Sequence, residues 1–274
     1  MKAVFFDAYN LIHRARHSTP AYLRNSRHGI TYTFFRSFAA LYRRMEPDQA
    51  FFVIEGIPRR RLALHPEYKA GRAKGPDDGF DQQKNEIIDL VAAGFPLHVV
   101  QHPDFECDDI IAHLVGDFPH ATECVVVSTD TDFLQLANTA PNFVQYDPIR
   151  KKYKDLPQFD YVRWKALRGD SSDNIPGFKG IGDKRALKLL GDEGDLAAFL
   201  SEGDNRSRFE KNIELIAFHD VSKELDGITF SSGCSDWEHI KDNFTAKSFT
   251  TIVKENSWQK FVNSFGENYG APQT

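Results

Sequence analysis

Cys124-Val125-Val126-Val127-Ser128-Thr129-Asp130-Thr131-Asp132 is an unbroken apolar run that gives way at once to hydroxyl and carboxylate side chains. A continuous apolar run, rather than an alternating one, marks a strand with both faces covered, as in a parallel sheet between helical layers. The pattern recurs. Lys2-Ala3-Val4-Phe5-Phe6 stops at Asp7, Phe51-Phe52-Val53-Ile54 stops at Glu55, and the run through Val99 and Val100 is soon followed by Glu106, Asp108 and Asp109. Strands are therefore expected over residues 3–6, 51–54, 97–101, 124–128 and 143–146, alternating with helical patterns. Between the first two, Phe34, Phe35, Phe38, Leu41, Tyr42 and Met45 recur at helical spacing, which predicts an amphipathic helix whose aromatics are core. The expected fold class is α/β, a mostly parallel sheet with helices on both faces.

Residues from about 58 to 81 carry Pro, Gly and charge with little apolar periodicity, which predicts a long excursion from the sheet rather than a packed element. After about residue 155 the strand pattern stops and helices are expected over 159–167, 183–190, 195–200 and 205–218, with one or two more between 245 and 265. The organisation is thus a core over 1–155 and a helical region over 156–274, with the tail from Gly266 to Thr274 loose.

A chain of 274 residues with 41% hydrophobic content can bury a sizeable core. The opening apolar run is too short for a signal peptide and no stretch is long enough to span a membrane, so a soluble cytoplasmic protein is expected. Cys107, Cys124 and Cys234 suit neither a disulfide framework nor a zinc site and read as reduced thiols. A net charge of −5 argues against a nucleic-acid partner until the arrangement is considered. Basic residues bunch at Arg59-Arg60-Arg61, at Lys69, Arg72 and Lys74, at Arg150-Lys151-Lys152 with Lys154, and at Lys179, Lys184, Arg185 and Lys188, while the acids gather elsewhere. That segregation suits one surface for an anion and another for metal cations.

Open parallel sheets build sites at the carboxyl edge, where the strands end. Here those positions are acidic: Asp7, Glu55, Asp130 with Asp132, and Glu106 with Asp108 and Asp109 at the start of the helix continued by Ile110 and Ile111. Glu106 and Asp109, three apart, share a helix face. Any one of these acids alone is an ordinary turn former or cap. Together they repel one another unless something positive sits among them, and hard oxygen ligands select Mg²⁺ or Mn²⁺. Two such ions are common machinery for phosphodiester hydrolysis.

The stretch Gly169-Asp170-Ser171-Ser172-Asp173-Asn174-Ile175-Pro176-Gly177-Phe178-Lys179-Gly180-Ile181-Gly182-Asp183-Lys184 adds Asp170 and Asp173 to the acids. Gly177, Gly180 and Gly182 let backbone amides approach a ligand just before a helix, whose N-terminus favours phosphate, and Lys179, Lys184 and Arg185 add charge beside them. It reads as a hairpin that binds a DNA backbone without reading bases.

These residues resemble the flap endonuclease or 5′-nuclease family, most closely its phage and bacterial members and the N-terminal nuclease domain of bacterial DNA polymerase I. Phe6-Asp7-Ala8-Tyr9-Asn10-Leu11-Ile12-His13-Arg14 is similar to the family's opening motif, His65-Pro66-Glu67-Tyr68-Lys69-Ala70-Gly71-Arg72 to its arch, Phe105-Glu106-Cys107-Asp108-Asp109-Ile110-Ile111-Ala112 to its central acidic motif; Ser128 to Leu136 and Gly169 to Lys184 complete the order. The resemblance implies a PIN-like core, a helical arch over about 58–85 and a helix-three-turn-helix over about 169–191 that holds duplex DNA and a K⁺ ion. It implies Asp7, Glu55, Glu106, Asp108 and Asp130 nearest a first metal, and Asp109, Asp132, Asp170 and Asp173 at a second or in its water shell. Lys69 and Arg72 would neutralise charge on the scissile phosphate, while Tyr68 would either stack on a displaced base or pack at the arch base. Arg14 joins Gly177, Lys179, Gly180, Gly182, Lys184 and Arg185 as the implied DNA-binding set. Glu55 stands where the family has Asp, Cys107 replaces a small residue, and no polymerase-like stretch follows, so a free-standing monomeric nuclease is expected.

The implied activity is metal-dependent cleavage of DNA at a 5′ flap or 5′ end, or of an RNA–DNA hybrid, in replication or repair. A phosphatase of the haloacid-dehalogenase kind would need a second Asp two residues after Asp7, where Tyr9 stands. A flap-binding protein without catalysis would keep the hairpin and lose the acids, which remain here.

Overall fold

The computed structural model describes residues 1–71 and 79–266. Arg72, Lys74 and the tail beyond Gly266 lie outside the described residues.

The central strand β1 (Lys2–Asp7) is flanked in parallel by β2 (Gln49–Ile54) and β4 (Glu123–Val127), with β3 (His98–Gln101) and β5 (Phe143–Asp147) parallel outside them. The chain builds β1, β2 and β3 to one side, then crosses back to lay down β4 and β5 on the other, so its winding reverses between β1 and β4. Such a reversal opens a crevice at the carboxyl ends of the strands. Pairing of Asp7 with Val53 and of Phe6 with Val127 brings the acidic strand ends to this one edge.

Helices α1 (Ala8–Ser18), α2 (Gly29–Met45) and α4 (Phe80–Gly94) cover one face through Leu11, Phe34, Phe38 and Ile87, and α5 (Cys107–Asp117) covers the other through Ile110 and Ile111. All the central strands are apolar on both sides for this reason. A separate core, including Leu167, Ile175, Phe178, Leu196 and Phe209, unites α6 (Tyr161–Arg168), α7 (Asp183–Leu190), α8 (Glu193–Ser201) and α9 (Asn205–Ile216). Between α6 and α7 the short strands β7 (Gly169–Asp170) and β8 (Ile175–Pro176) form the hairpin.

The expected strands stand within two residues of their observed limits. The expectation that strands end near residue 155 is corrected: β9 (Thr229–Ser231) returns to pair antiparallel with β3 at one edge, as β6 (Lys152–Tyr153) does with β5 at the other. Neither contains a run of apolar residues long enough to register as a strand; partner hydrogen bonding alone defines them. Helix α10 (Trp237–Ala246) was likewise not expected, and α11 (Thr250–Val253) and α12 (Glu255–Asn263) follow it. These elements pack against the sheet's helical layer, with Phe244 4.9 Å from Phe35, and Phe265 5.0 Å from Phe95 and 4.9 Å from Tyr42, centroid to centroid. The excursion from residue 58 is also corrected. It opens with α3 (Arg59–Leu64), and Arg61 and Tyr68 within it are buried.

Because Trp258 is 1% exposed within this aromatic layer, Trp258→Ala is expected to lower the unfolding free energy by about 3–5 kcal/mol in a denaturant titration. A change below about 1 kcal/mol would mean that the C-terminal helices are not part of the core.

Candidate metal centre

Asp7 ends β1 and caps α1: its Oδ1 accepts from Asn10 N at 3.0 Å and its Oδ2 from Ser128 Oγ at 2.8 Å. Ser128 Oγ in turn accepts from Asp130 N at 3.0 Å, so one hydroxyl spaces two carboxylates. Asn10 and Thr129 bond reciprocally, at 2.7 and 3.1 Å, and lock the start of α1 to the loop after β4. Glu55 Oε2 accepts from Cys107 N at 3.0 Å, and Cys107 Sγ lies 3.6 Å from Asp7 Oδ1. Burial pushes the Asp7 carboxyl up to about 6 and that of Glu55 up to about 7. Ser128, Asn10 and Thr129 were missed in the sequence, where a hydroxyl or amide after a strand carries no distinctive signal.

At the head of α5, Glu106 and Asp109 cap each other's backbone in a capping box, the physical basis of their shared face. Glu106 Oε2 accepts from Arg61 Nη1 at 2.7 Å and from the Tyr68 hydroxyl at 3.1 Å, and its Oε1 accepts from Lys69 Nζ. Asp109 places both oxygens on Arg61, at 2.6 and 2.8 Å, and also accepts from His219 N at 2.8 Å. Asp108 is drawn well above the usual carboxylate range by burial, reinforced by Asp109 and Glu106. Oxygens of Glu106, Asp108 and Asp109 come within 4.8 Å of one another.

A second group, Asp132, Asp170 and Asp173, is as tightly gathered, again within 4.8 Å. Lys165 on α6 reaches Asp170 Oδ2 at 2.5 Å and also bonds Asp132. Burial lifts the Asp132 carboxyl to about 6, and Asp130 adds to the rise. Burial alone would also raise Asp170, but Lys165 and the Ser172 hydroxyl outweigh it and hold that group at about 2. Tyr68 ties the two groups together, its hydroxyl lying 3.1 Å from both Glu106 and Asp173. Its ring is 6% exposed and packed in the helical core, so the alternative in which it stacks on a displaced base is corrected in favour of packing at the arch base. Lys69, in the left-handed region at φ 58°, donates its backbone N–H to Asp173 O at 3.0 Å. With His65 on Asn174 O and Asn174 on Glu67 O, it stitches the arch base to the hairpin loop around a cavity of about 550 Å³.

Lys179, Lys184 and Arg185 are exposed around the start of α7, and Gly182 is its open N-cap. Gly177 has a different reason for being glycine: a Cβ there would stand 2.0 Å from the Arg168 carbonyl, so its close approach is to the protein's own backbone. Gly180 adopts φ +76°. Arg14 is half-buried, donating to the Pro148 carbonyl at 3.0 Å.

Tyr68→Phe would remove the one hydroxyl that donates to both Glu106 and Asp173, and is expected to lower the unfolding free energy by about 1–3 kcal/mol in chemical denaturation. An unchanged midpoint and slope would show that the hydroxyl bridge carries no weight.

A resolvase-like sheet with acids along its carboxyl edge, joined to a small helical module, is the class that this architecture defines. Residues 2–162 match the family model described as 5′-3′ exonuclease, N-terminal resolvase-like domain, and residues 156–230 the one described as 5′-3′ exonuclease, C-terminal SAM fold. The chain belongs to the 5′-3′ exonuclease family. It is 31% identical over 219 residues to DNA polymerase I of Mycobacterium tuberculosis, across 73% of this chain and 24% of that protein. To the 5′-3′ exonuclease of Mycoplasmopsis pulmonis it is 30% identical over 206 residues, across 69% of this chain and 66% of that one. It thus spans about a quarter of the polymerase it matches. A solved complex of the bacteriophage T5 flap endonuclease with DNA and metal ions superimposes with a TM-score of 0.61 over 97% of this chain and 98% of that one; at 19% identity the likeness is one of fold.

Proposed function

We propose that this chain is a divalent-metal-dependent, structure-specific 5′ nuclease that hydrolyses DNA at a 5′ flap or 5′ end, RNA-primed ends included. The observation that carries the reading is the pair of carboxylate groups joined by Tyr68 beside an exposed basic hairpin. The family to which the chain belongs supports it, as do the DNA and metal ions bound by the T5 enzyme.

The donor set fits a hard divalent cation, because Glu106 with Asp108, and Asp132 with Asp170 and Asp173, offer closely spaced carboxylate oxygens. Asp7, Glu55, Glu106, Asp108 and Asp130 would hold one ion, and Asp132, Asp170 and Asp173 would serve a second. Bound there, Mg²⁺ or Mn²⁺ would acidify a water and stabilise the leaving oxygen. The chain's own groups do the rest. Lys69, buried against Glu106, keeps its proton because that carboxylate and Asp173 outweigh the effect of burial, so it presents a fixed positive charge to a phosphate. Lys179, Lys184 and Arg185 hold the duplex backbone at the open start of α7, where K⁺ would add a further contact, and Arg14 contributes from α1. The products would be a 5′-phosphate and a 3′-hydroxyl.

We further propose two functional units, a core over 1–155 and a helical region over 156–274 whose last segment folds back on the core, acting as a monomer in the cytoplasm in replication or repair. Among the described residues no helix is long and apolar enough to cross a membrane.

A 5′-labelled flap DNA is expected to be cut near its junction in Mg²⁺, with product lost in EDTA and in Asp130→Ala. Lys69→Ala is expected to lower the single-turnover rate by about 10²–10³-fold, the usual effect of removing one charge-stabilising donor. Binding without cutting in either Mg²⁺ or Mn²⁺ would leave a flap-binding module in place of an enzyme.

A further inference from the structure

Arg61 is an arginine with 3% of its side chain exposed, at the start of the arch, on the short helix α3. Every N–H of its guanidinium is engaged. Nε donates to the Leu215 carbonyl at 2.9 Å, Nη1 to Glu106 Oε2 at 2.7 Å and Asp109 Oδ2 at 2.6 Å, and Nη2 to Asp109 Oδ1 at 2.8 Å and the Ala217 carbonyl at 3.0 Å. Three segments distant in sequence, α3, the head of α5 and the end of α9, therefore meet on one planar cation.

The same geometry occupies Asp109, although one of its oxygens lies within 4.8 Å of those of Glu106 and Asp108. Its oxygens receive Arg61 twice, His219 N at 2.8 Å and Glu106 N at 3.3 Å, which accounts for the lone pairs of a carboxylate. Glu106 is divided: Oε2 belongs to Arg61 and Tyr68, and Oε1 is left facing Lys69. We infer that Arg61 is a positioning residue for the metal centre, orienting Glu106 and, through the helix head, Asp108, and that Asp109 acts as its counter-ion and not as a metal ligand. This inference rests on the two-metal reading above. It follows from the planar fork of arginine, which satisfies a carboxylate bidentately while still reaching two carbonyls; the single ammonium of lysine cannot reproduce that set. Outer groups that orient metal ligands characteristically govern metal affinity.

The test is Mn²⁺ binding followed by electron paramagnetic resonance on wild type, Arg61→Lys, Asp109→Asn and the double variant, with circular dichroism and thermal melting on each. Arg61→Lys is expected to fold and to bind Mn²⁺ about tenfold or more weakly, with flap cleavage recovering at high Mn²⁺. Asp109→Asn is expected to weaken binding through the same route, so the double variant should be no worse than the weaker single one. Multiplying effects would make Asp109 an independent ligand and overturn the inference, as would wild-type affinity in Arg61→Lys. A variant that melts earlier yet binds Mn²⁺ as wild type does would reduce Arg61 to a scaffold residue and overturn it too. If Arg61→Lys fails to fold, Asp109→Asn is compared with Asp108→Asn: equal losses of Mn²⁺ sink the inference, and a smaller loss in Asp109→Asn upholds it. Failure of the wild type to bind Mn²⁺ would instead sink the two-metal reading.

Discussion

Like charges brought to one edge of a sheet repel, and the architecture of this chain is organised around that repulsion. Burial raises the carboxyls of Asp7, Glu55, Asp108 and Asp132, and nearby acids push the same way, Asp130 on Asp7 and Asp132, Glu106 on Glu55, and Asp109 with Glu106 on Asp108, while hydrogen bonds and cations pull against them. The protein meets this with cations of its own: Arg61 and Lys69 against Glu106 and Asp109, and Lys165 between Asp132 and Asp170. Each of these cations is carried on a segment outside the parallel sheet. The arch base and α6 therefore cannot drift from the sheet without uncovering buried charge, which costs several kcal/mol per ion.

The same requirement explains why the helical region sits where it does. Asp170 and Asp173 come from a hairpin whose backbone packs so closely that Gly177 abuts the Arg168 carbonyl, and the loop between its strands is bonded to the arch base by Lys69, His65 and Asn174. Tyr68 spans the two carboxylate groups with one hydroxyl while its ring fills the helical core. Packing and chemistry are thus carried by different ends of one side chain. Lys179, Lys184 and Arg185 remain exposed around the start of α7, and a local cluster of this kind is how a chain of net charge −5 can take the phosphate-binding role proposed for it.

Much of the fold was legible because it is written in local signals. Unbroken apolar runs ending in acid mark strands covered on both faces, and the spacing of Phe34, Phe35 and Phe38 marks the helix that covers one of them. Where elements exist by virtue of a partner, the signal fails. Thr229–Ser231 is a strand only because β3 has an open edge, and Arg61 sits in a packed helix only because Glu106 and Asp109 await it. The segment from residue 58 read as an excursion rather than a packed element; its described part packs through Arg61 on Glu106 and Asp109 and through Leu62, Leu64 and Tyr68 in the helical core.

What the sequence by itself determined is which residue types stand at the carboxyl edge and in what order, since side-chain chemistry and strand periodicity are properties of neighbouring residues. What only the tertiary structure decided is how the acids divide their labour. Glu106, Asp108 and Asp109 are nearly adjacent and chemically alike, yet Asp109 faces Arg61, Glu106 is shared between Arg61, Tyr68 and Lys69, and Asp108 accepts from Asp109 N. That division depends on where a guanidinium arrives from another segment, and a hydrogen bond formed across the fold leaves no trace in the spacing of the residues that make it.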